Sequence, residues 1–424
     1  GSALRVGFGE EAITPPDPRG HPLAGYIARK RLSRGVHDDI FIRVLLVEAE
    51  ESLAVASLDL LAVDERMVED LRRISRRVLG NVFTLVAATH THSSLATLFS
   101  NPLLTYGSSV FREDYYEFFL ERAERAFEQS SSTELAKLSL HATRVEGVGA
   151  DRNHPGRPVD NTARILCFKT PTRRVLLVNY GVHPTVLGPE NTYISSDLVG
   201  YAVRFVRERG GVDGVVFVNS AAANVSTRYT RRAQSFEEAE RLGARLAEQV
   251  LKAISEEGEE LSIESIRVEA HFFPVRYEDP RVKLLELLGS LPSLVARSRG
   301  RRARTLVESL RAILLLAGIQ GRALTPGESR VEVDWVAVGN SLGILALPFE
   351  VHTDLAKRFE SKAVLSGVKH FLLFSYANGY YGYLAPEDEV SYERLAQLVS
   401  SDSYRALLEG IERVLSRGAL AGSE

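Results

Sequence analysis

Two histidines at the end of an apolar stretch are the residues best suited to chemistry in this chain. Residues 82–88 are apolar and β-prone, and they run directly into His90-Thr91-His92. Side chains two positions apart on a strand share one face, so this spacing predicts that both imidazoles point into one pocket. Imidazole is the commonest protein ligand of zinc and similar metals. The alternative is a pair of hydrogen-bonded structural histidines.

A third histidine and a carboxylate occupy similar places. His183 follows the apolar stretch 175–178, and Pro184 disfavours a helical conformation for it. Glu350 stands where a predicted strand passes into a helix. Taken alone, His183 suits a structural role, and Glu350 could be a first-turn residue that favours the helix dipole. Together with the first two histidines they supply mixed nitrogen and oxygen donors, which Zn²⁺ accepts.

Three further segments place polar or aromatic side chains in loop-like sequence. Ser226 follows a predicted strand and could face a ligand or form an ordinary polar turn, but no G-x-S-x-G surrounds it, so an α/β-hydrolase is not supported. Arg152 could hold an anion or a carbonyl group, or belong to a surface ion pair. Tyr392 follows the loop 375–386, whose aromatic, Gly and Asn residues predict either a site-forming loop or a packed aromatic corner.

The elements that must position these residues alternate between strand and helix. Predicted strands cover 40–48, 53–58, 82–88, 163–169, 175–180 and 214–219. Predicted helices cover 65–78, 113–128, 197–209 and 235–255. The alternation predicts an α/β fold with a layered mixed sheet core and flanking helices. The candidate residues follow strands, where open α/β sheets bind ligands.

The second half of the chain is predicted to continue the same unit. A strand covers 261–276, further strands cover 331–339, 341–347 and 368–375, a helix begins near Glu350, and a last helix ends near Arg417. Residues 280–320 are predicted to form a basic helical insertion, which is either a solvated face or a lid for an acidic or amphiphilic partner. No Gly-, Ser- or Pro-rich linker interrupts the chain, so residues 1–424 are predicted to form a single domain.

Composition restricts the class of protein. The 424 residues carry a formal net charge of −3, with 45% hydrophobic and 25% charged residues. These values are typical of a soluble globular protein and give no reason to expect nucleic acid or an anionic membrane as partner. No stretch is apolar enough to cross a bilayer. The single cysteine, Cys167, excludes an intramolecular disulfide and is expected in the core.

Residue usage also bears on source and compartment. One Cys, one Met and an excess of Arg over Lys are typical of a heat-adapted (thermophile) source or a high-GC one. We expect a cytoplasmic protein, unless a signal peptide preceded the tag-like Gly1-Ser2.

Several segments, in this order along the chain, resemble the neutral/alkaline ceramidase family. The resemblance begins with Ala12-Ile13-Thr14-Pro15-Pro16, Leu23-Ala24-Gly25-Tyr26 and Gly35-Val36-His37-Asp38-Asp39. It continues through Asp59, His90-Thr91-His92, Arg152-Asn153, His183-Pro184-Thr185, Asn224-Val225-Ser226, Pro348-Phe349-Glu350, Ala377-Asn378 and Tyr392-Glu393. The markers therefore span nearly the whole chain.

The resemblance implies a zinc-dependent amidase. It implies that zinc is bound by His90, His183, Glu350 and Tyr392. It also implies that His92 and Arg152 face the substrate, and that Ser226 is a nucleophile or a transition-state partner. Strand geometry alone does not decide between His90 and His92 as the ligand.

Two segments depart from the family pattern beside the expected substrate cleft. The run His-Thr-His-Ser is followed by Ser94-Leu95-Ala96-Thr97 in place of Gly-Pro-Gly-Gly, and Ser226 is followed by Thr227-Arg228 in place of Pro-Asn. Both changes leave the metal donors intact and bear on the identity of the substrate. The C-terminal immunoglobulin-like domain of the family's larger members is not expected here.

The sequence therefore predicts a zinc-dependent hydrolase that cleaves the amide bond of a ceramide-like lipid or another N-acyl molecule by metal-activated water. One alternative is a metal-independent serine hydrolase that uses Ser226 and His92. Another is a non-catalytic module that binds a metal or ligand. The acyl chain, the amine and the oligomeric state, a homo-oligomer included, stay open.

Overall fold

Three β-sheets form the framework that carries the site. The computed structural model describes residues 4–263, 265–279, 329–388 and 391–417, with isolated positions between 282 and 292 and at 310. The basic helical insertion predicted for 280–320 lies almost entirely outside the described residues and stays a prediction.

The described strands and helices alternate along the chain. The strands are β1 Arg5–Ala12, β2 Gly35–Val36, β3 Phe41–Glu48, β4 Ser52–Leu58, β5 Phe83–Ala88, β6 Glu134–Leu135, β7 Lys137–Arg144, β8 Ala150–Asp151, β9 Thr162–Lys169, β10 Arg174–Tyr180, β11 Tyr193–Ile194, β12 Gly214–Asn219, β13 Val225–Ser226, β14 Glu259–Leu261, β15 Ile266–Val275, β16 Ser329–Val338, β17 Leu342–Ala346, β18 Glu350–Val351, β19 His370–Phe374 and β20 Tyr383–Leu384. The helices are α1 Glu65–Leu79, α2 Glu113–Ser130, α3 Asp197–Gly210, α4 Phe236–Ser255, α5 Thr353–Leu365, α6 Tyr392–Leu395 and α7 Ser401–Arg417. Among the described residues, no helix combines the length and apolar character that a membrane span requires.

Each large sheet is mixed and ends in one parallel pair of strands. The first sheet has the order β5-β4-β3-β1-β6, the second β12-β10-β9-β7-β14, and the third β15-β16-β17-β19. The parallel pairs are β4 with β5, β10 with β12, and β17 with β19. The prediction of an α/β fold with a layered mixed sheet core is confirmed.

The three sheets pack against one another around a central apolar core. Leu45 of the first sheet, Leu177 of the second and Ile344 of the third belong to one buried cluster. A pair of helices covers the opposite face of each sheet, namely α1 and α2, α3 and α4, and α5 and α7. Strands β4, β10 and β12 are therefore buried on both faces, which explains why they are largely apolar.

Local signals set the helix ends. The Asp64 side chain accepts the Met67 amide at 3.1 Å and starts α1, and Gly80, at φ +80°, ends it. Apolar residues at helical spacing, Met67, Leu71 and Ile74, then face the first sheet. The predicted bounds of the first four helices agree with the structure to within two residues at each end.

Two predicted elements are wrong in their bounds. The single strand expected over 261–276 is two strands, because β14 pairs with β7 in the second sheet whereas β15 pairs with β16 in the third. The helix expected to begin near Glu350 begins at Thr353, and Glu350 itself lies in the short strand β18. Which sheet a strand joins is set by tertiary structure, so a continuous β-prone sequence does not reveal where the pairing partner changes.

Strand β1 was not predicted because two glycines interrupt its apolar pattern. A Cβ on Gly7 would lie 1.8 Å from the Ser130 carbonyl oxygen, and one on Gly9 would lie 1.9 Å from that of Ala126. The glycines therefore let α2 pack directly onto the strand, although glycine ordinarily weakens a strand.

The carboxyl ends of the parallel strands meet at one place. Asn219, the last residue of β12, donates from Nδ2 to the Thr89 carbonyl at 3.0 Å. The Ser375 amide, after β19, donates to the Asn219 carbonyl at 3.0 Å, and the Ala88 amide donates to the Tyr376 carbonyl at 3.1 Å. The loops that follow strands of all three sheets are thus hydrogen-bonded to one another, and they carry the candidate residues.

Candidate active site

His90 and His92 converge, but for a different reason from the one predicted. Strand β5 ends at Ala88, and His90 has a left-handed backbone with φ +74°. The two side chains therefore do not share the face of a strand, and the period-two argument is wrong here. The turn at His90 instead brings its Nε2 to 3.3 Å from Nε2 of His92.

His183 completes a group of three imidazoles. It follows β10, and its ring centroid lies 4.7 Å from that of His90. One ligand nitrogen from each of His90, His92 and His183 can be chosen so that all lie within 4.8 Å of one another, and this group could hold a metal ion. His90 and His183 are buried, whereas His92 keeps part of its surface open. His92 is therefore the imidazole best placed to meet a substrate.

Glu350 faces two of these imidazoles. Its Oε1 lies 3.0 Å from His90 Nε2 and 3.3 Å from His183 Nε2. The Tyr376 hydroxyl donates to Oε1 at 3.2 Å, and the Tyr380 hydroxyl donates to Oε2. Burial disfavours the carboxylate, yet the two imidazoles hold the pKa of Glu350 well below its usual range. The group is an anion at neutral pH.

The hydrogen bonds of the imidazoles fit a cation at this place. His90 Nδ1 lies 2.7 Å from the Leu61 carbonyl oxygen, and His183 Nδ1 lies 2.7 Å from that of Ala222. A carbonyl oxygen can only accept, so each Nδ1 carries a proton, and each ring in its neutral form presents a lone pair at Nε2. A cation between these lone pairs and the Glu350 oxygen would be bound by all three groups. Carbonyl acceptors of this kind also orient imidazoles that bind metals.

His92 is held by packing, without the carbonyl acceptor that fixes the other two rings. Its Nδ1 is buried and has no hydrogen-bond partner among the described residues. The ring lies against Gly25, and the Tyr26 ring lies 5.0 Å away. Burial lowers the pKa of His92 well below its usual value, and the neighbouring imidazoles lower it further. His92 is therefore neutral at pH 7.

Arg152 and Tyr392 line the same cavity. Arg152 Nε donates to the buried carboxylate of Glu393 at 2.6 Å, so the surface ion pair considered from sequence is instead a buried one. The Arg152 guanidinium lies 4.9 Å from the centre of the Tyr392 ring. Burial raises the pKa of Tyr392, and Arg152 opposes that effect. The protein alone thus favours a neutral phenol, and a positive charge nearby favours the phenolate.

Ser226 lies on the cavity wall without a histidine partner. Strand β13, which ends at Ser226, pairs antiparallel with β8, which ends beside Arg152. The Ser226 hydroxyl oxygen accepts the Arg228 amide at 3.2 Å. Within the described part of the chain, no imidazole is hydrogen-bonded to this hydroxyl. The arrangement leaves the hydroxyl proton for another acceptor and does not resemble a serine–histidine pair.

Sequence reasoning missed several residues that support the site. Tyr376 and Tyr380 donate hydrogen bonds to Glu350, and Glu393 accepts one from Arg152. Gly25, which has no side chain, leaves room for the His92 ring. The aromatic loop 375–386 was the available signal for the two tyrosines. A pattern of residue types, however, does not reveal which tyrosine ring reaches the Glu350 carboxylate.

A cavity of about 430 Å³ opens over the imidazoles, a size suited to a small organic molecule or part of a lipid. Polar lining residues include the three histidines, Glu350, Arg152 and Ser226. Apolar lining residues include Ile27, Leu103, Leu104, Ala396 and Leu398. The residues predicted to carry the chemistry, Tyr392 among them, therefore all border one cavity.

Comparison with known proteins shows which family this chain resembles. The model of the neutral/alkaline non-lysosomal ceramidase N-terminal region matches residues 4–220. The neutral ceramidase of Drosophila melanogaster is 26% identical over 227 residues, which cover 47% of this chain. The match spans only about a third of the fly protein, at 32% of its length.

Two crystal structures show the same fold. Neutral ceramidase from Pseudomonas aeruginosa gives a TM-score of 0.79 at 18% identity, over 98% of this chain and 74% of that one. A ceramidase complexed with C2 gives 0.78 at 16% identity, over 99% and 75% of the two chains. The family match covers more than half of the chain, and it includes the histidines that follow β5 and β10. The resemblance predicted from sequence is thus confirmed, and this chain belongs to the neutral/alkaline non-lysosomal ceramidase family.

Proposed function

We propose that this protein is a zinc-dependent hydrolase of amide bonds in N-acylated substrates. The observation that carries the proposal is the arrangement of His90, His183 and Glu350. Each imidazole is fixed as the Nδ1 tautomer, and both Nε2 atoms face the same carboxylate oxygen. This donor set suits Zn²⁺ in its charge and in its nitrogen and oxygen chemistry. The family resemblance adds Tyr392 as a fourth ligand.

Zinc, when bound, supplies a Lewis acid that polarises the amide carbonyl and lowers the pKa of water. The protein's own residues supply the rest. The neutral His92 accepts a proton at Nε2, the nitrogen that faces the other imidazoles, and returns it to the leaving amine. The Ser226 hydroxyl donates to the developing oxyanion. Arg152, held by Glu393, orients the polar part of the substrate.

Metal analysis combined with an N-acyl substrate screen tests the proposal. We expect about one zinc per chain, amide cleavage that stops in a strong chelator, and recovery when zinc is restored. Glu350→Gln keeps the size of the side chain and removes its charge, so zinc should be lost. His154→Gln is the matched control, because His154 is exposed and lies outside the cavity over the imidazoles.

Two results would contradict the proposal. Full activity in chelator would favour a serine hydrolase that uses Ser226. Stoichiometric zinc without turnover of any amide would favour a module that only binds metal or ligand.

A further inference from the structure

Three arginines lie near the Tyr26 side chain, and two of them, Arg228 and Arg231, line the cavity. The Arg29 guanidinium lies 4.9 Å from the centre of the Tyr26 ring. Burial and the Asp197 carboxylate raise the pKa of the Tyr26 hydroxyl, whereas Arg29, Arg231 and Arg228 each lower it. Three positive charges and one negative charge therefore act on this one hydroxyl. The Tyr26 ring is 5.0 Å from the His92 ring, so the charges also lie beside the imidazoles.

Hydrogen bonds tie two of these arginines to the histidine segments. Arg29 Nη1 donates to the His92 carbonyl at 2.7 Å. Arg231 Nη1 donates to the carbonyl of Thr185 at 3.0 Å, two residues after His183. Both contacts keep a guanidinium near the reacting groups.

The partners of Arg29 and Arg231 are neutral. Arg29 bonds only backbone carbonyls, and its Nε is buried with no partner among the described residues. Arg231 bonds the Thr185 carbonyl and the Thr227 hydroxyl. Across the described ranges, neither arginine forms an ion pair with a carboxylate. Asp197 acts on Arg231 from a distance, but its oxygens already accept three backbone amides. A guanidinium bound only by neutral oxygens retains a strong preference for an anion.

The charged side chains on the cavity wall have different partners. The cavity is lined by Arg152, Arg228 and Arg231 and by the acidic residues Glu190 and Glu350. Arg152 is neutralised by Glu393, which is outside the lining, and Glu350 faces the imidazoles. Glu190 is exposed to water, which screens its charge. The wall near Tyr26 therefore presents the Arg231 guanidinium, which forms no ion pair with a carboxylate within the described ranges.

Another stretch of the same cavity is apolar. Leu103 and Leu398 form a buried pair against which Tyr106 packs, and Leu104 and Ala396 line the cavity with them. An alkyl chain gains free energy by leaving water for such a surface. The cavity thus combines an apolar stretch, a catalytic group and the cationic side chain of Arg231.

We propose that the substrate is an N-acyl amino acid, with its alkyl chain on the leucines and its carboxylate on the guanidinium of Arg231. The inference rests on the amide hydrolase proposed above and names its substrate class. Water adds through oxygen to the acyl carbon, and the amide C–N bond breaks. One proton of the water passes to the amine nitrogen, so the products are a fatty acid and a free amino acid.

Two substrates that differ in one charge test the inference. N-dodecanoylglycine and N-dodecanoylethanolamine share the acyl chain and the amide. The first ends in a carboxylate, and the second has a hydroxymethyl group in its place. We expect kcat/KM to be at least about tenfold higher for the glycine conjugate, mainly through KM, the effect of one charge-assisted hydrogen bond. Raising the salt concentration should reduce that preference because it screens the attraction.

Variants then locate the effect. Arg231→Gln should lower the preference for the glycine conjugate by about tenfold, and Arg231→Lys should lower it less because the charge remains. Arg232→Gln is the matched control, since Arg232 is the next residue, is exposed and does not line the cavity. Thermal unfolding of each variant establishes that it is folded. If Arg231→Gln does not fold, the salt dependence of the wild-type preference for the glycine conjugate tests the anionic subsite instead.

The outcomes separate this inference from the function on which it rests. Cleavage of neither amide would contradict the hydrolase itself. Cleavage of both with equal kcat/KM, or a preference that neither salt nor Arg231→Gln changes, would overturn the anionic subsite and leave the hydrolase intact. Calorimetry in chelator measures the affinity of each conjugate for the subsite without turnover. Equal affinities of the two conjugates would also contradict an anionic subsite.

Discussion

Gly25→Ala should disable the site by moving one imidazole. Gly25 has φ +109°, and a Cβ there would lie 2.5 Å from His92 Nδ1 and 2.6 Å from its Cγ. The shorter distance is about 0.9 Å less than the 3.4 Å at which ordinary contacts begin. The His92 ring must therefore retreat or the Gly25 backbone must shift.

The surroundings of His92 set the size of the effect. Its ring is 4.8 Å from that of His90 and 5.7 Å from that of His183, so a retreat disturbs the other imidazoles. A displacement of about 1 Å in a catalytic group costs on the order of 100-fold in rate. Overpacking costs about 1–3 kcal/mol of stability, and the left-handed backbone adds about 1–2 kcal/mol.

The assay is kcat/KM for an N-acyl substrate, read beside zinc content and the free energy of unfolding. Gly20→Ala is the control, because Gly20 also has positive φ, at +79°, and a Cβ there would meet nothing within 4 Å. It should lose stability through backbone strain alone and keep its activity. If His92 moves protons and is not a ligand, Gly25→Ala should keep its zinc. Wild-type kcat/KM in a folded Gly25→Ala protein would refute the reasoning.

Three further predictions concern groups around the same cavity. Glu393→Gln leaves the buried Arg152 without its carboxylate and should lower the free energy of unfolding by about 3–5 kcal/mol in urea denaturation; a loss below about 1 kcal/mol would contradict the buried pair. Burial lowers the pKa of His183 to about 4, so below pH 6.5 the unfolded chain binds more protons than the folded one. In chelator, stability should therefore fall by up to about 3 kcal/mol between pH 6.5 and 4, and His183→Gln should remove that slope; the same slope in the variant would assign it elsewhere. Ser226→Ala should reduce kcat by about 100-fold or more and leave zinc bound, as expected for loss of an oxyanion donor; an unchanged kcat would remove Ser226 from the mechanism.

Local signals predicted much of the fold because they act within a few residues. The strand at 83–88 follows from a run of apolar β-formers, and α1 follows from the Asp64 cap and apolar residues at helical spacing. The predictions were wrong where a partner elsewhere in the chain decides. Strand β1 depends on the close approach of α2, and the division of 261–276 depends on which sheet each part joins.

The sequence by itself determined which donors are present and the order in which they follow the strands. It predicted His90, His92, His183 and Glu350, but it predicted the convergence of the first two through a strand face that does not exist. Tertiary structure decided how the donors meet, because their contacts join segments that are far apart in the chain. The Leu61 and Ala222 carbonyls accept hydrogen bonds from Nδ1 of His90 and His183 and so place a proton on that nitrogen. The three sheets bring the strand ends together. Tertiary structure also decided the partners of the arginines on the cavity wall, because these partners come from distant segments: Arg152 pairs with the Glu393 carboxylate, whereas Arg231 bonds the Thr185 carbonyl.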